Sequence, residues 1–395
     1  MKLSKKTILD ANLEGKTVLV RCDFNVPLDE NKNITDNARI VKALDTIKYI
    51  LDKNTKIILT SHLGRPKGEF NMEYSLEPVR KELERLLERK VVLAKDVIGE
   101  DADKKVSELQ TGDILLLENV RFEKGETEND DEMSKKLASY ADIFVNDAFG
   151  TAHRAHSSTV GVAKYLEGYA GFLMEKEIEF LGNVIENPER PFLAILGGAK
   201  VSDKIGVITA LLDTVDTIAI GGGMAYTFIK ALGYEVGTSL CELDKLEVAK
   251  EIMRKATEKN VKLLLPVDVV IADSITSKDI KTVSFKEIPA NLGGFDAGEK
   301  TLEIIEEEVK KSKTIFWNGP LGAFEFEQFL NGTKKIAEVL ADTDCISIIG
   351  GGDSAAAVKK LGIEDKFTHI STGGGASLRL LEGKELPGLV ALLDK

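Results

Sequence analysis

Arginine and histidine recur in four short motifs in the first half of the chain. These motifs are Arg21–Asn25, Ser61–Pro66, Glu118–Phe122 and Thr151–Ser157. Only four histidines occur in 395 residues, and three of them, His62, His153 and His156, lie in these motifs. Guanidinium groups offer planar, paired N–H donors that fit carboxylate and phosphate oxygens. The motifs therefore predict a site where side chains hold a small anion.

Runs of glycine recur in the second half, each after an apolar stretch. The four runs are Gly197-Gly198, Gly221–Gly223, Gly350–Gly352 and Gly373–Gly375. Glycine lets a phosphate approach the backbone, and a helix N-terminus offers free amides and the positive end of its dipole. This half therefore predicts a site where backbone amides hold a polyphosphate. Together the two halves indicate transfer of a phosphoryl group between two separately held substrates.

Charged residues accompany two of the glycine runs. Lys200 and Lys204 follow the first run, and a spacing of four would place them on one face of a helix. Asp353 and Ser354 follow the third run, where a carboxylate beside a hydroxyl suits Mg²⁺ that bridges phosphates. These additions favour a nucleotide phosphate chain as the polyphosphate.

Each of these residues has an ordinary explanation when taken alone. An arginine is most often half of a surface ion pair, a histidine is often structural, and a glycine often serves only tight strand–helix packing. The acidic stretch Glu126–Glu132 is expected to be a solvated helix face, and Trp317 is expected to pack in a core. A site is favoured because so many motifs follow predicted strands, and ligands bind at the carboxyl ends of parallel strands.

Apolar runs typical of buried strands alternate with helical patterns along the chain. In the first half the predicted strands are Val18–Val20, Ile57–Leu59, Val91–Leu93, Ile114–Leu117 and Ile143–Val145, and the helices are Ala38–Leu51, Ser75–Arg89 and Asp131–Ala138. In the second half the predicted strands are Phe192–Leu196, Thr217–Ile220, Lys262–Pro266, Thr314–Phe316, Cys345–Ile349 and Thr368–Ile370. This alternation predicts an α/β fold with parallel sheets flanked by helices. The length predicts two domains.

The boundary between the domains is predicted near residues 171–191. Phe172–Glu186 carries apolar residues at helical spacing, and the prolines in Asn187–Pro191 stop the helix. We therefore expect an N-terminal domain over 1–170, a linking hinge helix over 171–191, a second domain over 192–377 and a C-terminal segment over 378–395.

Composition and missing motifs argue against several classes of protein. A net charge of −12 disfavours a general nucleic-acid binder, and no apolar run is long enough to span a bilayer. Three widely spaced cysteines and a first segment without an apolar signal region predict reduced thiols and a cytoplasmic protein. The sequence contains no Walker A loop, no GxGxxG dinucleotide fingerprint and no HRD or DFG motif of protein kinases.

On these motifs the chain resembles phosphoglycerate kinases over essentially its whole length. The residues that carry the resemblance are Arg21–Pro27, Ser61–Pro66, Glu118–Phe122, Phe149–His156, Leu196–Lys204, Trp317–Pro320, Gly350–Ser354 and Ser371–Ser377. The resemblance implies reversible phosphoryl transfer between 1,3-bisphosphoglycerate and Mg-ADP, which gives 3-phosphoglycerate and Mg-ATP in glycolysis. It also implies two Rossmann-like domains joined by a hinge, with the C-terminal segment returning to the first domain.

The resemblance further implies roles for individual residues. Phosphoglycerate would be held by Asp23, Asn25, Arg39, His62, Leu63, Gly64, Arg65, Arg121 and Arg154. The nucleotide would contact Lys204, Gly294, Glu325, Gly351, Gly352, Asp353 and Ser354, with Asp353 towards Mg²⁺. The moving phosphoryl group would be stabilised by Arg39, Lys200, Gly373, Gly374 and Gly375. The chain departs from the family at Asn291–Asp296, which lacks the Trp-Met that often precedes the glycine matched by Gly294.

Two other classes of protein stay open on the residues alone. A nicotinamide-dependent dehydrogenase also uses glycine turns, although its fingerprint is missing and the lysine pair does not suit it. A non-catalytic anion-binding protein would keep the arginines and would need neither Lys200 nor Asp353. For the kinase we expect a monomer that binds small-molecule substrates, and neither nucleic acid nor membrane. We also expect closure about the linking helix when both substrates bind.

Overall fold

The computed structural model describes residues 2–395, which divide into two compact units. The first unit extends to Glu179 and also contains Glu385–Lys395, and the second unit is Phe180–Lys384. The chain therefore leaves the first unit once and returns to it for its last eleven residues.

A six-stranded parallel sheet forms the centre of the first unit. Its strands are β1 (Thr17–Arg21), β2 (Lys56–Thr60), β3 (Val91–Leu93), β4 (Ile114–Leu116), β5 (Ile143–Asn146) and β6 (Gly168–Ala170), in the order β3-β4-β2-β1-β5-β6. The register pairs Val18 with Ile57 on one side and with Ile143 on the other. The four strands that precede the arginine motifs, β4, β2, β1 and β5, are consecutive neighbours. Their carboxyl ends therefore meet at one edge of the sheet.

Helices pack on this sheet through apolar faces. They are α1 (Ala38–Leu51), α2 (Glu77–Leu87), α3 (Glu100–Glu108), α4 (Lys124–Glu128), α5 (Asp131–Ala138) and α6 (Phe172–Glu186). In α1 the spacing of Ile40, Leu44 and Ile47 puts all three on the side that is buried in the core of the unit. The division between the units falls inside α6, between Glu179 and Phe180.

The second unit contains two sheets. In chain order its strands are β7 (Phe192–Leu196), β8 (Thr217–Ile220), β9 (Lys262–Leu264), β10 (Asp268–Ala272), β11 (Lys281–Ser284), β12 (Gly293–Ala297), β13 (Thr314–Asn318), β14 (Ile346–Gly350) and β15 (His369–Ile370). The larger sheet is parallel with the order β15-β14-β13-β7-β8-β9. Its strands follow the Rossmann order, and the direction of winding reverses between β7 and β13.

Helices and a buried tryptophan complete the core of the second unit. The helices are α7 (Ile205–Leu211), α8 (Ala225–Ala231), α9 (Leu246–Glu258), α10 (Glu299–Lys311), α11 (Asn331–Ala341), α12 (Gly352–Leu361) and α13 (Gly375–Leu381). Trp317 of β13 is fully buried among residues such as Leu302 and Ile336. Its Nε1 donates to the carbonyl of Gly319 at 2.8 Å. Trp317 is thus a packing residue, as the sequence predicts.

A small antiparallel sheet in the order β11-β10-β12 was not predicted. β12 begins with two glycines, and β11 is a largely exposed edge strand with one apolar residue, Val283. Neither strand carries the apolar alternation that identifies a strand from sequence.

Of the predicted C-terminal segment, Glu385–Lys395 pack in the first unit and contain α14 (Pro387–Val390). Asp394 forms an antiparallel bridge with Lys5, and the amide of Lys6 donates to Leu393 at 2.8 Å. The amide of Gly388 donates to Ala152 at 2.8 Å, and its carbonyl accepts from Asn146 Nδ2 at 3.3 Å. Residues 378–384, by contrast, group with the second unit.

Candidate functional site

Residues after β1 join the start of α1 at the edge of the first sheet. Arg39 lies in the first turn of α1, and its Nη1 is 2.6 Å from Oδ2 of Asp23. Oδ1 of Asn25 accepts from the amide of Gly64 at 2.9 Å. Asp23 and Asn25 therefore hold Arg39 and the loop after β2 in place.

The loop after β2 contributes its backbone as well as its side chains. Gly64 has a φ of 60°, and a Cβ there would lie 2.4 Å from the ring of Tyr74, so only glycine fits. The carbonyl of Gly64 accepts from Arg121 Nη1 at 2.8 Å, and that of Leu63 accepts from Asn119 Nδ2 at 2.7 Å. Leu63 and Gly64 thus position the loop and Arg121 through main-chain atoms.

His62 is a buried imidazole surrounded by guanidinium groups. Its Nδ1 lies 3.3 Å from Nη2 of Arg21, the last residue of β1. Burial lowers the pKa of His62 well below its usual 6.5, and the positive charges of Arg21, Arg121, Arg39 and Arg154 lower it further. The ring is therefore neutral at physiological pH.

A cationic cleft of about 550 Å³ opens beside this edge. It is lined by Arg65, Lys67, Gly68, Arg121, Lys124, Thr127, Glu128, Arg154 and His156. Burial, and then repulsion from Arg154 and Arg21, lowers the pKa of Arg121 to about 10. Three lining arginines were predicted as ligands, whereas Lys67, Lys124 and His156 were not. Their closeness in sequence to the predicted arginines could have revealed them, because each lies two or three residues from one of these arginines.

A cleft of about 330 Å³ lies at the carboxyl ends of the strands in the second unit. It is lined by Gly198, Ala199, Gly222, Gly223, Leu240, Ile275, Gly294, Phe295, Pro320, Gly322, Ala323, Glu325 and Asp353. Gly294, Glu325 and Asp353 were predicted. The apolar wall of Leu240, Ile275 and Phe295 was not, because isolated apolar residues in loops carry no recognisable pattern.

The two lysines after β7 do not share a helix face, which corrects the prediction from their spacing. Lys200 is extended, with φ −129° and ψ 136°, and a short 3₁₀ turn at Val201–Asp203 precedes α7. The side chain of Lys204 is partly buried, and its Nζ donates to Oδ1 of Asn318. Burial lowers the pKa of Lys204 to about 8, against the opposing effects of Asp203 and Asp353. Lys200 is exposed.

The glycines before α12 and α13 shape two turns at the same edge. Gly351 has a φ of 85°, and Asp353 is exposed in the first turn of α12. Ser354 is buried, and its hydroxyl accepts from the amide of Gly319 at 2.7 Å. The amide of Gly373 donates to Ser371 Oγ at 3.1 Å. Ser354 and Gly373 therefore already have partners within the protein, while Gly352 and Gly375 are exposed.

Three further properties concern residues 2–395. No group of three or more histidine, cysteine and carboxylate side chains in this range could hold a metal ion. No helix in the same range has the length and apolar character needed to cross a membrane. The three cysteines are free thiols.

The fold and the two clefts define the class of protein, which comparison with known proteins narrows to a family. One α/β unit has a cationic cleft and the other has a glycine-lined cleft at the edge of a sheet in Rossmann order, which suits a protein that holds phosphorylated ligands. The family model described as phosphoglycerate kinase matches residues 8–384. The chain belongs to the phosphoglycerate kinase family.

Individual relatives agree with this assignment over full length. The chain is 58% identical to a phosphoglycerate kinase of Clostridium botulinum and to one of Clostridium novyi, with 100% of each chain covered. A solved phosphoglycerate kinase from Coxiella burnetii aligns with a TM-score of 0.91 at 42% identity. One from Pyrococcus horikoshii aligns with a TM-score of 0.85 at 34% identity. Each alignment covers 98% of both chains.

Proposed function

We propose that the chain transfers a phosphoryl group reversibly between 1,3-bisphosphoglycerate and ADP to give 3-phosphoglycerate and ATP. The observation that carries the proposal is that this chain has two clefts of different lining, one in each unit. One is lined by cationic side chains and the other by glycine backbone. A dehydrogenase or a simple anion-binding protein has no support from the family assignment.

The first cleft would bind the phosphoglycerate. Arg65, Arg121 and Arg154 line it and would hold the phosphate through paired N–H donors. Arg39 and His62 would complete the set of donors. Asp23 would support Arg39, and Asn25, Leu63 and Gly64 would support the loop after β2 and Arg121. Lys67 and Lys124 would add positive charge at the rim.

The second cleft would bind the nucleotide. Leu240, Ile275 and Phe295 form an apolar wall suited to the base, and Gly294 lines the same cleft. Glu325 would accept from ribose hydroxyls. Lys204, Gly351, Gly352 and the first turn of α12 would face the phosphates. Ser354 would act by fixing the turn at Gly319.

Asp353 would hold Mg²⁺ together with the nucleotide phosphates. The donors fit, because Mg²⁺ in kinases takes one or two carboxylates plus phosphate oxygens, and Asp353 is an exposed carboxylate in the cleft. When bound, the ion would neutralise charge on the phosphates. The protein alone would orient the phosphate chain through Lys204 and the amides before α12.

Transfer needs no general base from the protein. In the direction of ATP use, a carboxylate oxygen of 3-phosphoglycerate attacks the γ-phosphorus, and the bond from that phosphorus to the β–γ bridging oxygen breaks as ADP leaves. The attacking oxygen carries no proton at neutral pH. Catalysis would then rest on alignment and on charge stabilisation by Arg39, Lys200 and the segment Gly373–Gly375.

In-line transfer requires both substrates to meet, so we propose closure about the linking segment 171–191. The predicted domains 1–170 and 192–377 would move relative to each other about this hinge. Of the predicted segment 378–395, Glu385–Lys395 would move with the first domain, because these residues group with the first unit. Small-angle scattering with both substrates bound should show compaction, and an unchanged radius of gyration would contradict closure. We place the enzyme in the cytoplasm as a monomer without nucleic-acid or membrane partners, in keeping with its three free thiols.

A coupled assay tests the activity. Purified protein with 3-phosphoglycerate, ATP and Mg²⁺ should form 1,3-bisphosphoglycerate, detected by a coupling dehydrogenase as NADH oxidation. Omission of 3-phosphoglycerate is the control. NADH binding to the chain itself in the absence of turnover would favour the dehydrogenase, and anion binding without turnover would favour a non-catalytic protein.

A further inference from the structure

Arg21 is a buried arginine beneath the cationic cleft that contacts His62 directly. Its side chain is fully buried, and all three guanidinium nitrogens have partners inside the protein. Nε donates to Ser158 Oγ at 2.8 Å, Nη1 donates to the carbonyl of Cys22, and Nη2 faces His62 Nδ1 at 3.3 Å. With its donors used in this way, Arg21 is arranged to hold neighbours rather than a ligand.

A second buried charge balances Arg21. Glu126 is fully buried, which corrects the expectation of a solvated face at this residue. Its Oε1 accepts from Ser158 Oγ at 2.6 Å, and its Oε2 accepts from the amide of Ser158 at 2.9 Å. Ser158 therefore connects the carboxylate to the guanidinium. Burial lowers the pKa of Arg21, and the negative charge of Glu126 opposes this effect. The pair can hold a fixed position because breaking it would leave an uncompensated buried charge.

The contact between Arg21 and His62 has a direct chemical consequence. A guanidinium has N–H donors and no acceptor, so the imidazole atom that faces it must accept. Nδ1 of His62 is therefore unprotonated, and a neutral imidazole with a bare Nδ1 carries its proton on Nε2. Among residues 2–395 the His62 ring has no hydrogen bond other than that to Arg21. The Nε2–H donor remains for a ligand.

We propose that Arg21 is a positioning residue that fixes His62 as the neutral Nε2–H tautomer, so that the imidazole donates a hydrogen bond to the anionic substrate. The binding half of this proposal rests on the proposed function, whereas the tautomer is a property of the free protein. Glu126 and Ser158 are the supports of Arg21. His62 thus acts as a fixed neutral donor among permanent cations, rather than as one more cation.

Nitrogen-15 NMR of the histidine rings tests the tautomer. The chain has four histidines, so the His62 pattern can be assigned as the one lost in His62→Gln. We expect an unprotonated Nδ1 and a protonated Nε2 from pH 5.5 to 8, both free and with 3-phosphoglycerate bound. A doubly protonated ring, or the Nδ1–H tautomer, would overturn the proposal whether or not the chain is active.

Substitutions test the role of Arg21. Arg21→Met should release the tautomer preference and let the ring titrate nearer its usual range, with Glu126→Gln added if the unpaired carboxylate prevents folding. Arg65→Met is the matched control, because it removes an arginine that lines the cationic cleft, whereas the hydrogen bond to His62 comes from Arg21. It should leave the tautomer unchanged. An unchanged ring pattern in a folded Arg21→Met protein would remove the positioning role.

Two replacements of His62 locate the donor atom. The amide nitrogen of glutamine can take the place of Nε2, and that of asparagine can take the place of Nδ1. We expect His62→Asn to weaken 3-phosphoglycerate binding by roughly 10- to 100-fold, the loss of one hydrogen bond to a charged group, and His62→Gln to weaken it clearly less. Equal losses in the two variants would contradict donation from Nε2, and equal retention would show that His62 makes no bond to the substrate.

Discussion

The clefts of the two units differ in their lining, which is cationic side chains in the first unit and largely glycine backbone in the second. In the first unit Arg65, Arg121 and Arg154 line the cleft, and the buried Arg21 is connected to Glu126 through Ser158. In the second unit the glycines matter because a side chain is missing, as at Gly197, where a Cβ would lie 2.0 Å from the carbonyl oxygen of Pro320. A side-chain site should therefore fail when a charge is removed, and a backbone site should fail when a methyl group is added.

Lys200 is the main exception to this division and offers the largest expected effect. It is an exposed cation beside the glycine-lined cleft, and we propose that it stabilises the moving phosphoryl group. Lys200→Ala should lower kcat by about 10²–10³, with smaller changes in the KM of either substrate. Steady-state kinetics of the coupled reaction would measure this. Lys200→Arg, which keeps the charge, is the control, and near-normal turnover of the alanine variant would remove the residue from catalysis.

Two glycine substitutions test the rule that a backbone site fails on added bulk. Gly197→Ala should destabilise the second unit by about 1–3 kcal/mol, because the clash is with main-chain atoms that cannot move aside easily. Trp317 is the single tryptophan and lies in the second unit, so its fluorescence during denaturant unfolding reports on that unit.

Gly352→Ala is the matched control for stability. No atom lies within 4 Å of the Cβ that it would add, and the position begins α12. Stability should change by less than about 1 kcal/mol. Nucleotide affinity should still fall, because the methyl group would occupy the space through which phosphates approach the amides. Equal destabilisation by both variants would contradict the steric argument.

Sequence alone predicted the arginine motifs and every parallel strand except β6, because these follow from local patterns. Helices Ala38–Leu51 and Phe172–Glu186 have the predicted bounds, since each combines apolar periodicity with a clear stop. The apolar wall at Leu240 and Ile275 and the small antiparallel sheet depend on contacts distant in sequence. The lysine pair was misplaced because a 3₁₀ turn precedes α7, and residue spacing cannot reveal where a helix begins.

The pKa of Lys204 gives the backbone site a pH dependence that the arginine site should lack. Burial lowers this pKa to about 8, so the free protein loses the ammonium charge as the pH rises through 8. Nucleotide phosphate favours the charged form, and binding of ADP should then weaken by up to about tenfold per pH unit above 8. Calorimetry at pH 8.5 in two buffers should show proton uptake. The Lys204→Arg variant stays charged over this pH range and should bind ADP without proton uptake. If both proteins show the same pH dependence of ADP binding, Lys204 is not the titrating group.

The smallest expected effect concerns one buried carboxylate in each unit. The two carboxylates have different pKa values, so the stability of each unit should depend differently on pH. Burial raises the pKa of Asp296 to about 7 and that of Asp147 to about 6, from usual values of 3.8. Because each carboxyl has a higher pKa in the folded state than its usual 3.8 in the unfolded state, its protonated form stabilises the folded protein. This stabilisation is complete below pH 3.8 and is lost as the pH rises through the folded-state pKa. The second unit should therefore be about 1 kcal/mol more stable at pH 6 than at pH 8, as measured by Trp317 fluorescence. Asp296→Asn should flatten this dependence and Asp147→Asn should not, and the reverse pattern would show that the two carboxylates are wrongly assigned.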